Sequence, residues 1–500
     1  MPGFEGHPLS PKEMAVVEQN AVALGLTIDA LMENAGRVVA EESAKRLPPP
    51  PARVGVVAGI GNNGGDGMCA AFYLHQWGFV PEIWLLRPPS EIRSRAAQRC
   101  YERIARLAPI HSGVPQGVAL RPLPIVLDAM LGTGQLGELR PPFSDAAAAI
   151  AASQAPVLSV DVPSGLGATN AVRPRWTVTL TVRKDGMTND RCGEIIERDI
   201  GIPWEAYHRT GPGEFLFFPR PESTSIRGRS ARLLIVGGGP YAGAPALAGL
   251  AALRAGAERA TVVAPDPAAM SVQHFSPNLV VHAVGDVAFD PKDVPALVAF
   301  FQKAEPRAVV LGMGSGAAPR TIEAYRELIS ELRGKVPIVV DAEALQALEP
   351  PPTGSPKFDA GNLIATPNEG EFQRVFGPVP EGSVDERLQG ARTKSAQWGV
   401  TLLVKGYADL ISDGERSFVN LHHHPANTVS GVGDVLAGVV GSLLAQGATS
   451  LEAARLATYW VGEAGVHAAA ERSFGLIATD VIDELPRSLL LGLQRAYGTN

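Results

Sequence analysis

The chain has 500 residues, 45% hydrophobic and 19% charged, with a formal net charge of −7. Such length and apolar content support two or three buried cores rather than one. The acidic balance gives no electrostatic reason to expect nucleic acid or an anionic membrane as a partner. Cys69, Cys100 and Cys192 are too few and too scattered for a disulfide framework or a zinc site, so ordinary thiols in a reducing compartment are expected. The first ten residues lack the basic-then-apolar pattern of a secretory signal, and the alanine-rich stretch 146–152 is too short to span a bilayer, so a cytoplasmic protein is expected.

Apolar positions at helical spacing mark Met14–Leu24 and Ile28–Leu47, the second opened by Thr27 or Asp29 and closed by Pro48–Pro51. Arg53–Ala58 is a short β-branched run followed by a glycine cluster and a helical stretch from Met68 to Trp77. Further strands are expected at Glu82–Leu86, Pro124–Asp128, Val157–Asp161 and Thr177–Val182, giving an α/β domain with a mostly parallel sheet. Between Gly211 and Arg229 prolines, glycines, serines and arginines break all periodicity. The expected organisation is therefore a first domain over 1–215, a linker over 216–229 and a second α/β domain over 230–500. In that second domain strands are expected at 233–236, 260–264, 308–311, 336–341, 363–365 and 402–404. A helix is expected over 244–255, a hairpin over Tyr407–Asn420, and closing helices at Gly433–Leu444 and Leu451–Ala470.

Three loops in the first half carry chemistry. Gly59–Gly67 (GIGNNGGDG) follows a strand and precedes a helix, so its main-chain N–H groups can face an anion such as pyrophosphate. Asn62, Asn63 and Asp66 add polar groups that a plain turn does not need. Asp128–Gly134 (DAMLGTG) and Asp161–Gly165 (DVPSG) start at the ends of two expected parallel strands, the edge where open α/β sheets place ligands. These motifs, over about residues 10–210, resemble the NAD(P)H-hydrate epimerase family. The resemblance implies a Rossmann-like three-layer fold in which Asn62, Asn63, Gly64, Gly65 and Asp66 hold the dinucleotide. Gly132, Thr133, Gly134, Gln135, Leu136, Gly137 and Glu138 would join them. It further implies a potassium ion on Asn63, Asp128 and Ser164, and Asp161 at the reacting ring as the catalytic carboxylate. The stretch 168–175 departs from the family, and Lys184 either matches a family lysine or is simply solvated.

In the second half, Gly431–Asp434 (GVGD) begins a long helix, an arrangement that sets an aspartate beside a phosphoryl-binding helix start. Gly312–Gly316, Asp341–Leu345, Thr366–Glu371 and Lys405–Gly406 each follow an expected strand. The succession resembles the ribokinase-like fold and, over about residues 230–485, the ADP- or ATP-dependent NAD(P)H-hydrate dehydratases. That resemblance implies Asp434 as catalytic base, and Gly433 with Lys405, Gly406, Tyr407, Ala408 and Asp409 at the nucleotide. Ala244, Gly314 and Asn368 would lie at the hydrate. It also implies ADP or ATP as co-substrate and Mg2+, with Glu371 as an indirect partner of the metal. Hydrated NADH and NADPH would be the substrates of a homo-oligomeric enzyme. Asn368, Glu343 and Ser430 stand where the family usually has His, Asp and Gly, and His422–His424, where it has another turn, are expected to form a solvated loop. The competing readings are a ribokinase-like small-molecule kinase and a nucleotide-binding scaffold that supports an active epimerase.

Overall fold

The computed structural model describes residues 7–134, 137–220, 231–351, 361–378 and 382–497. Two compact units part between Trp204 and Glu205.

The first unit opens with two capped helices. Ser10 starts Pro11–Ala23 with a capping box: its hydroxyl accepts from the Glu13 N–H at 3.2 Å while Glu13 accepts from the Ser10 N–H at 2.9 Å. Thr27, rather than Asp29, caps Ile28–Ala44 by accepting from the Ala30 N–H at 3.1 Å. The sheet has seven strands: β1 (Arg53–Ala58), β2 (Val80–Leu85), β3 (Ile110–Ser112), β4 (Val126–Ala129), β5 (Val157–Val160), β6 (Trp176–Leu180) and β7 (Glu194–Arg198). All pair in parallel in the order β3-β2-β1-β4-β5-β6-β7. The chain reverses its direction of winding between β1 and β4, so the carboxyl ends of these neighbours open the crevice where such sheets bind ligands.

The glycine run after β1 is not a loop leading to a helix at Met68. The helix begins at Asn62 and runs to Gln76. Its glycines are there for close packing: a Cβ on Gly64 would lie 2.0 Å from the Gly59 carbonyl oxygen, and one on Gly67 2.3 Å from Ala129 Cβ. Without those side chains the first turns press directly onto β1 and β4, which a reading of glycine as a helix breaker misses.

The second unit has nine strands: β8 (Arg232–Val236), β9 (Arg259–Ala264), β10 (Val280–Ala283), β11 (Ala308–Leu311), β12 (Ile338–Val340), β13 (Leu363–Ala365), β14 (Thr401–Val404), β15 (Asp409–Ser412) and β16 (Ser417–Asn420). Their order is β10-β9-β8-β11-β12-β13-β14-β15-β16, parallel as far as β14. The last two strands pair antiparallel and form the expected hairpin. Both units are thus α/β, the second a mixed sheet with the reversal of winding between β8 and β11.

The buried helix Val432–Ala445 packs on Gly243–Arg254, and the contact is close because Gly438 lacks a side chain: a Cβ there would lie 2.1 Å from the Ala248 carbonyl oxygen. Residues 205–215, expected in the first domain, and 216–217 of the expected linker pack within the second unit. Phe215 meets Trp460 edge-on at 6.1 Å, and buried Glu214 pairs with Arg455 at 2.9 Å. Most of the expected linker, residues 221–229, lies outside the described residues. Among those described, no single helix is long and apolar enough to cross a membrane.

Candidate active sites

At the carboxyl ends of β1, β4 and β5 lies a cavity of about 410 Å³, lined by Asn62, Asn63, Asp66, Gly132, Thr133, Gly134, Asp161 and Lys184. The helix Asn62–Gln76 has Gly61 at its N-cap and no side-chain cap, so its first N–H groups are left for an anion in the cavity. Asp128, inside β4, is wholly buried and binds the loops together. One carboxylate oxygen accepts from the Ser164 hydroxyl at 2.6 Å; the other accepts from Ser159 Oγ at 2.8 Å and the Ser164 N–H at 2.9 Å. Burial raises the Asp128 carboxyl, against the pull of these hydrogen bonds. Asn63 donates through Nδ2 to the Leu131 carbonyl at 3.1 Å, and Leu131 N–H donates to Ser164 Oγ at 3.0 Å. The amide oxygen of Asn63 is buried without a partner.

Asp161 follows β5 in a left-handed conformation, φ 63°, a costly backbone state for a non-glycine residue and one that gathers at working sites. Its carboxylate accepts from the Leu180 N–H at 3.1 Å and forms an ion pair with Lys184. Lys184 is not solvated: it is 2% exposed and also donates to Thr179 Oγ1 at 3.1 Å and the Leu180 carbonyl at 2.7 Å. Of the two readings of this lysine the solvated one is excluded, and nothing in its local sequence shows that the chain folds it under Asp161.

The second constellation stands at the carboxyl ends of β8, β11, β12, β13 and β14. Lys405, directly after β14, donates to buried Asp341 after β12 at 2.7 Å. Gly431 caps the helix Val432–Ala445 with φ 97°, its N-cap offering no side chain, so the N–H groups around Gly433 and Asp434 face outward for an anion. A Cβ on Gly433 would lie 3.3 Å from Lys405 Nζ, which sets the ammonium beside this helix start. Gly314, at φ 72°, approaches so near that a Cβ would lie 2.1 Å from the Tyr241 carbonyl oxygen and 3.3 Å from Ala244 Cβ. Asn368 caps Glu369–Phe376 through a box with Glu371, accepting from its N–H at 2.9 Å. A backbone bridge sets Asn368 beside Lys405.

A family profile described as NAD(P)H-hydrate dehydratase matches residues 233–487, and one described as YjeF-related protein N-terminus matches residues 28–186. The chain is 38% identical to the bifunctional NAD(P)H-hydrate repair enzyme Nnr of Pyrobaculum aerophilum, over 95% of this chain and 96% of that one. The chain belongs to the bifunctional NAD(P)H-hydrate repair enzymes. The Nnr of Hyperthermus butylicus is 37% identical, covering 97% and 92% of the two chains. Among solved structures, the ADP/ATP-dependent NAD(P)H-hydrate dehydratase of Bacillus subtilis, co-crystallized with ATP/Mg2+, is 23% identical, with a TM-score of 0.46 over 56% of this chain and 96% of that one.

In this repair enzyme the first half is the epimerase domain and the second the dehydratase domain, the family that the motifs led us to expect. Not every residue expected at the epimerase cavity lines it. Gly64 and Gly65 face backbone and Met32, and Glu138 is engaged away from the cavity, accepting from Thr169 N–H and Oγ1, both at 2.9 Å. Gly137 does not line the cavity, and Gln135 and Leu136 lie outside the described residues. Glu18, on Pro11–Ala23, does line it and was missed, because a glutamate on an amphipathic helix reads as a solvent-facing residue. Although Glu18 keeps solvent access, the protein crowded around it and the charge of Asp161 raise its carboxyl to about 7, with Lys184 acting the other way. Burial, Asp161 and Glu18 together hold the Asp66 carboxyl well above its ordinary range.

In the dehydratase domain the expected nucleotide loop divides. Lys405 reaches the acidic cluster, Gly406 and Tyr407 are exposed, and Ala408 is in the hydrophobic core. Asp409 is taken up in accepting from Asn420 Nδ2 at 3.0 Å and the Gly406 N–H at 3.1 Å. Burial raises Asp434 to about 7, helped by Asp341, Glu343 and Glu371 and opposed by Lys405. His422 does not belong to a solvated loop: its ring stacks on Tyr459 at 4.7 Å and bonds Glu463 at 2.6 Å, while His424 caps the turn at Pro425.

Proposed function

We propose that Asp161 carries the proton in epimerisation of the R and S hydrates of NADH and NADPH, and that Asp434 is the base for nucleotide-dependent dehydration of the S hydrate. The observation that carries the first assignment is the carboxylate of Asp161 held by buried Lys184 at the wall of a cavity large enough for the hydrated ring. Inverting a carbinol carbon needs a proton delivered to and removed from the ring oxygen, which a positioned carboxylate can do. The free helix start at Asn62 and the glycines 132–134 suit the pyrophosphate of the dinucleotide.

A potassium ion fits beside this site. The partnerless buried Asn63 oxygen, the buried negative charge of Asp128 and the Ser164 hydroxyl are hard oxygen donors, and a cation would offset the cost of burying Asp128. When bound it would supply positive charge and fix the loops that frame the cavity.

For the dehydratase, the amide end at Gly431–Asp434 and the Lys405 ammonium suit a phosphoryl group of ADP or ATP. Asp434, raised toward neutrality, is matched to taking a proton from the ring hydroxyl as that oxygen accepts the phosphoryl group. Among the described residues no three carboxylates or imidazoles converge on one point. Mg2+ would therefore come with the nucleotide phosphates, held by one or two of Asp341, Glu343 and Glu371. The Asn368 cap uses its amide oxygen, so Nδ2 is the end that would donate to the hydrate.

The test is release of phosphate by the full chain in the presence of ADP or ATP, measured with and without hydrated NADH, together with recovery of the dihydronicotinamide absorbance. Release coupled one to one with recovery supports the dehydratase. Phosphorylated product without recovery would replace it by a kinase, and nucleotide binding with neither would leave a scaffold.

A further inference from the structure

Two carboxyl groups from different elements meet in the epimerase cavity, and the reading above uses only one. Glu18 comes from the helix Pro11–Ala23; Asp161 comes from the turn after β5. Both line the cavity of about 410 Å³. Glu18 also borders an adjoining recess of about 240 Å³, where Val22, Leu31 and Met32 stand beside Gln19, Asn62 and Asp66. It therefore stands between two recesses that share Asn62 and Asp66. The charged groups facing Glu18 are Asp66 from Asn62–Gln76, Asp161, and Lys184 from the turn after β6.

Lys184 gives its ammonium to Asp161 by direct hydrogen bond, and its other two donations go to Thr179 and Leu180. The two carboxyls are therefore unequal: Asp161 has a cation bound to it, while Glu18 has no such partner among the described residues and faces the carboxyls of Asp161 and Asp66. Two carboxyl groups in such unlike surroundings divide into an ionised member and a protonated one.

We propose that Glu18 is a second proton-transferring residue of the epimerase, the acid that protonates the departing ring hydroxyl while Asp161 serves as base; this rests on the assignment of Asp161 above. In the forward step the C–O bond of the carbinol breaks, the Glu18 proton passes to that oxygen, and water leaves. The ring-nitrogen lone pair forms a C=N+ bond in its place. Water then adds to the other face of the same carbon, the C=N electrons return to nitrogen, and the surplus proton goes to Asp161. Solvent at the cavity mouth returns a proton from Asp161 to Glu18, so that no oxidant or further reactant is required. The protein crowded around the solvent-accessible Glu18 side chain and the nearby Asp161 charge raise its carboxyl to about 7.

The experiment uses the full chain and its Glu18→Gln, Glu18→Asp and Asp161→Asn variants. Interconversion of separated R and S hydrates is followed chromatographically between about pH 5 and 9, with turnover and KM resolved, because a general acid contributes about a hundredfold or more. Glu18→Gln is expected to lose about a hundredfold in turnover with little change in KM, and to lack the fall in rate above about pH 7 expected of the unmodified chain. Glu18→Asp, a shorter acid, is expected to keep only part of the rate, with its alkaline fall displaced in pH, and it decides the matter if the glutamine variant does not fold. Turnover and a pH profile in Glu18→Gln equal to those of the unmodified chain would overturn the proposal, as would an alkaline fall unchanged in position in a fully active Glu18→Asp. If instead the unmodified chain does not interconvert the hydrates, or Asp161→Asn does so at full rate, the assignment of Asp161 fails, and the proposal falls with it for a distinguishable reason.

Discussion

Replacing Asp434 by asparagine separates its two roles, as a base and as a destabilising buried charge. The carboxyl is raised from the ordinary 3.8 to about 7, by burial first and then by Asp341, Glu343 and Glu371. At about 1.36 kcal/mol per pH unit, holding Asp434 ionised in the folded state costs at most about 4 kcal/mol. Screening at this partly open helix start brings that to about 2 kcal/mol. The sign follows from linkage: the unfolded chain releases this proton near pH 4 and the folded chain near 7. The stability of the unmodified protein therefore falls as pH rises through that window and is level on either side of it. The amide of the Asp434→Asn variant has no such proton to lose. Between about pH 5 and 8 the variant's melting temperature should accordingly drop about 5 °C less than that of the unmodified chain, as judged by calorimetry of the dehydratase transition. Nucleotide-dependent dehydration should fall on the order of a hundredfold or more while nucleotide still binds. Equal pH dependence of melting in the two proteins would refute the electrostatic account, and retained dehydration would refute the base.

Three further outcomes follow from the geometry. Gly438→Ala should destabilise the second domain by about 1–3 kcal/mol in chemical denaturation, because its methyl would strike the Ala248 carbonyl oxygen and part the two packed helices. Lys184→Gln leaves the Asp161 carboxylate without its bound cation and anchor, and turnover in interconversion of the R and S hydrates, followed chromatographically, should fall by about tenfold or more. Exchanging potassium for a bulky organic cation should lower epimerisation or the melting temperature of the first domain. The same exchange should have no effect in Asn63→Ala, where the partnerless oxygen is gone.

The sequence makes the chemistry more legible than the packing around it. Asp128, Asp161 and Asp434 could be placed because each ends a strand or begins a helix, and such ends are marked by β-branched runs and glycines. What escaped depends on distant parts of the chain. The run at 59–67 reads as a loop because glycine is costly in helices, yet here tertiary contact with Gly59 and Ala129 requires it. β3, β7 and β10 went unread because they are short, half-exposed strands without a continuous apolar run. His422 was taken as solvated and the setting of Lys184 was left open, because their partners, Glu463 and Asp161, lie 41 and 23 residues away.

The protonation states assigned to Glu18 and Asp434 pull the two activities in opposite directions with pH. Epimerisation needs Glu18 protonated, so it is favoured below about 7 and declines above it. Dehydration needs Asp434 ionised, so it declines below about 7 and is favoured above. In a chain that must both convert the R hydrate and dehydrate the S hydrate, repair of a mixed pool proceeds at the rate of the slower step. Starting from pure S hydrate, the rate should climb through neutrality and level off. Starting from pure R hydrate, it should instead pass through a maximum near pH 7, with its alkaline side set by the epimerase and its acid side by the dehydratase. Adding an excess of the isolated Asp434→Asn variant, which supplies epimerase alone, should remove the alkaline side and leave the acid side in place. A profile from R hydrate that keeps its alkaline fall under that addition would place the fall in the dehydratase and contradict the assignment of opposed protonation states.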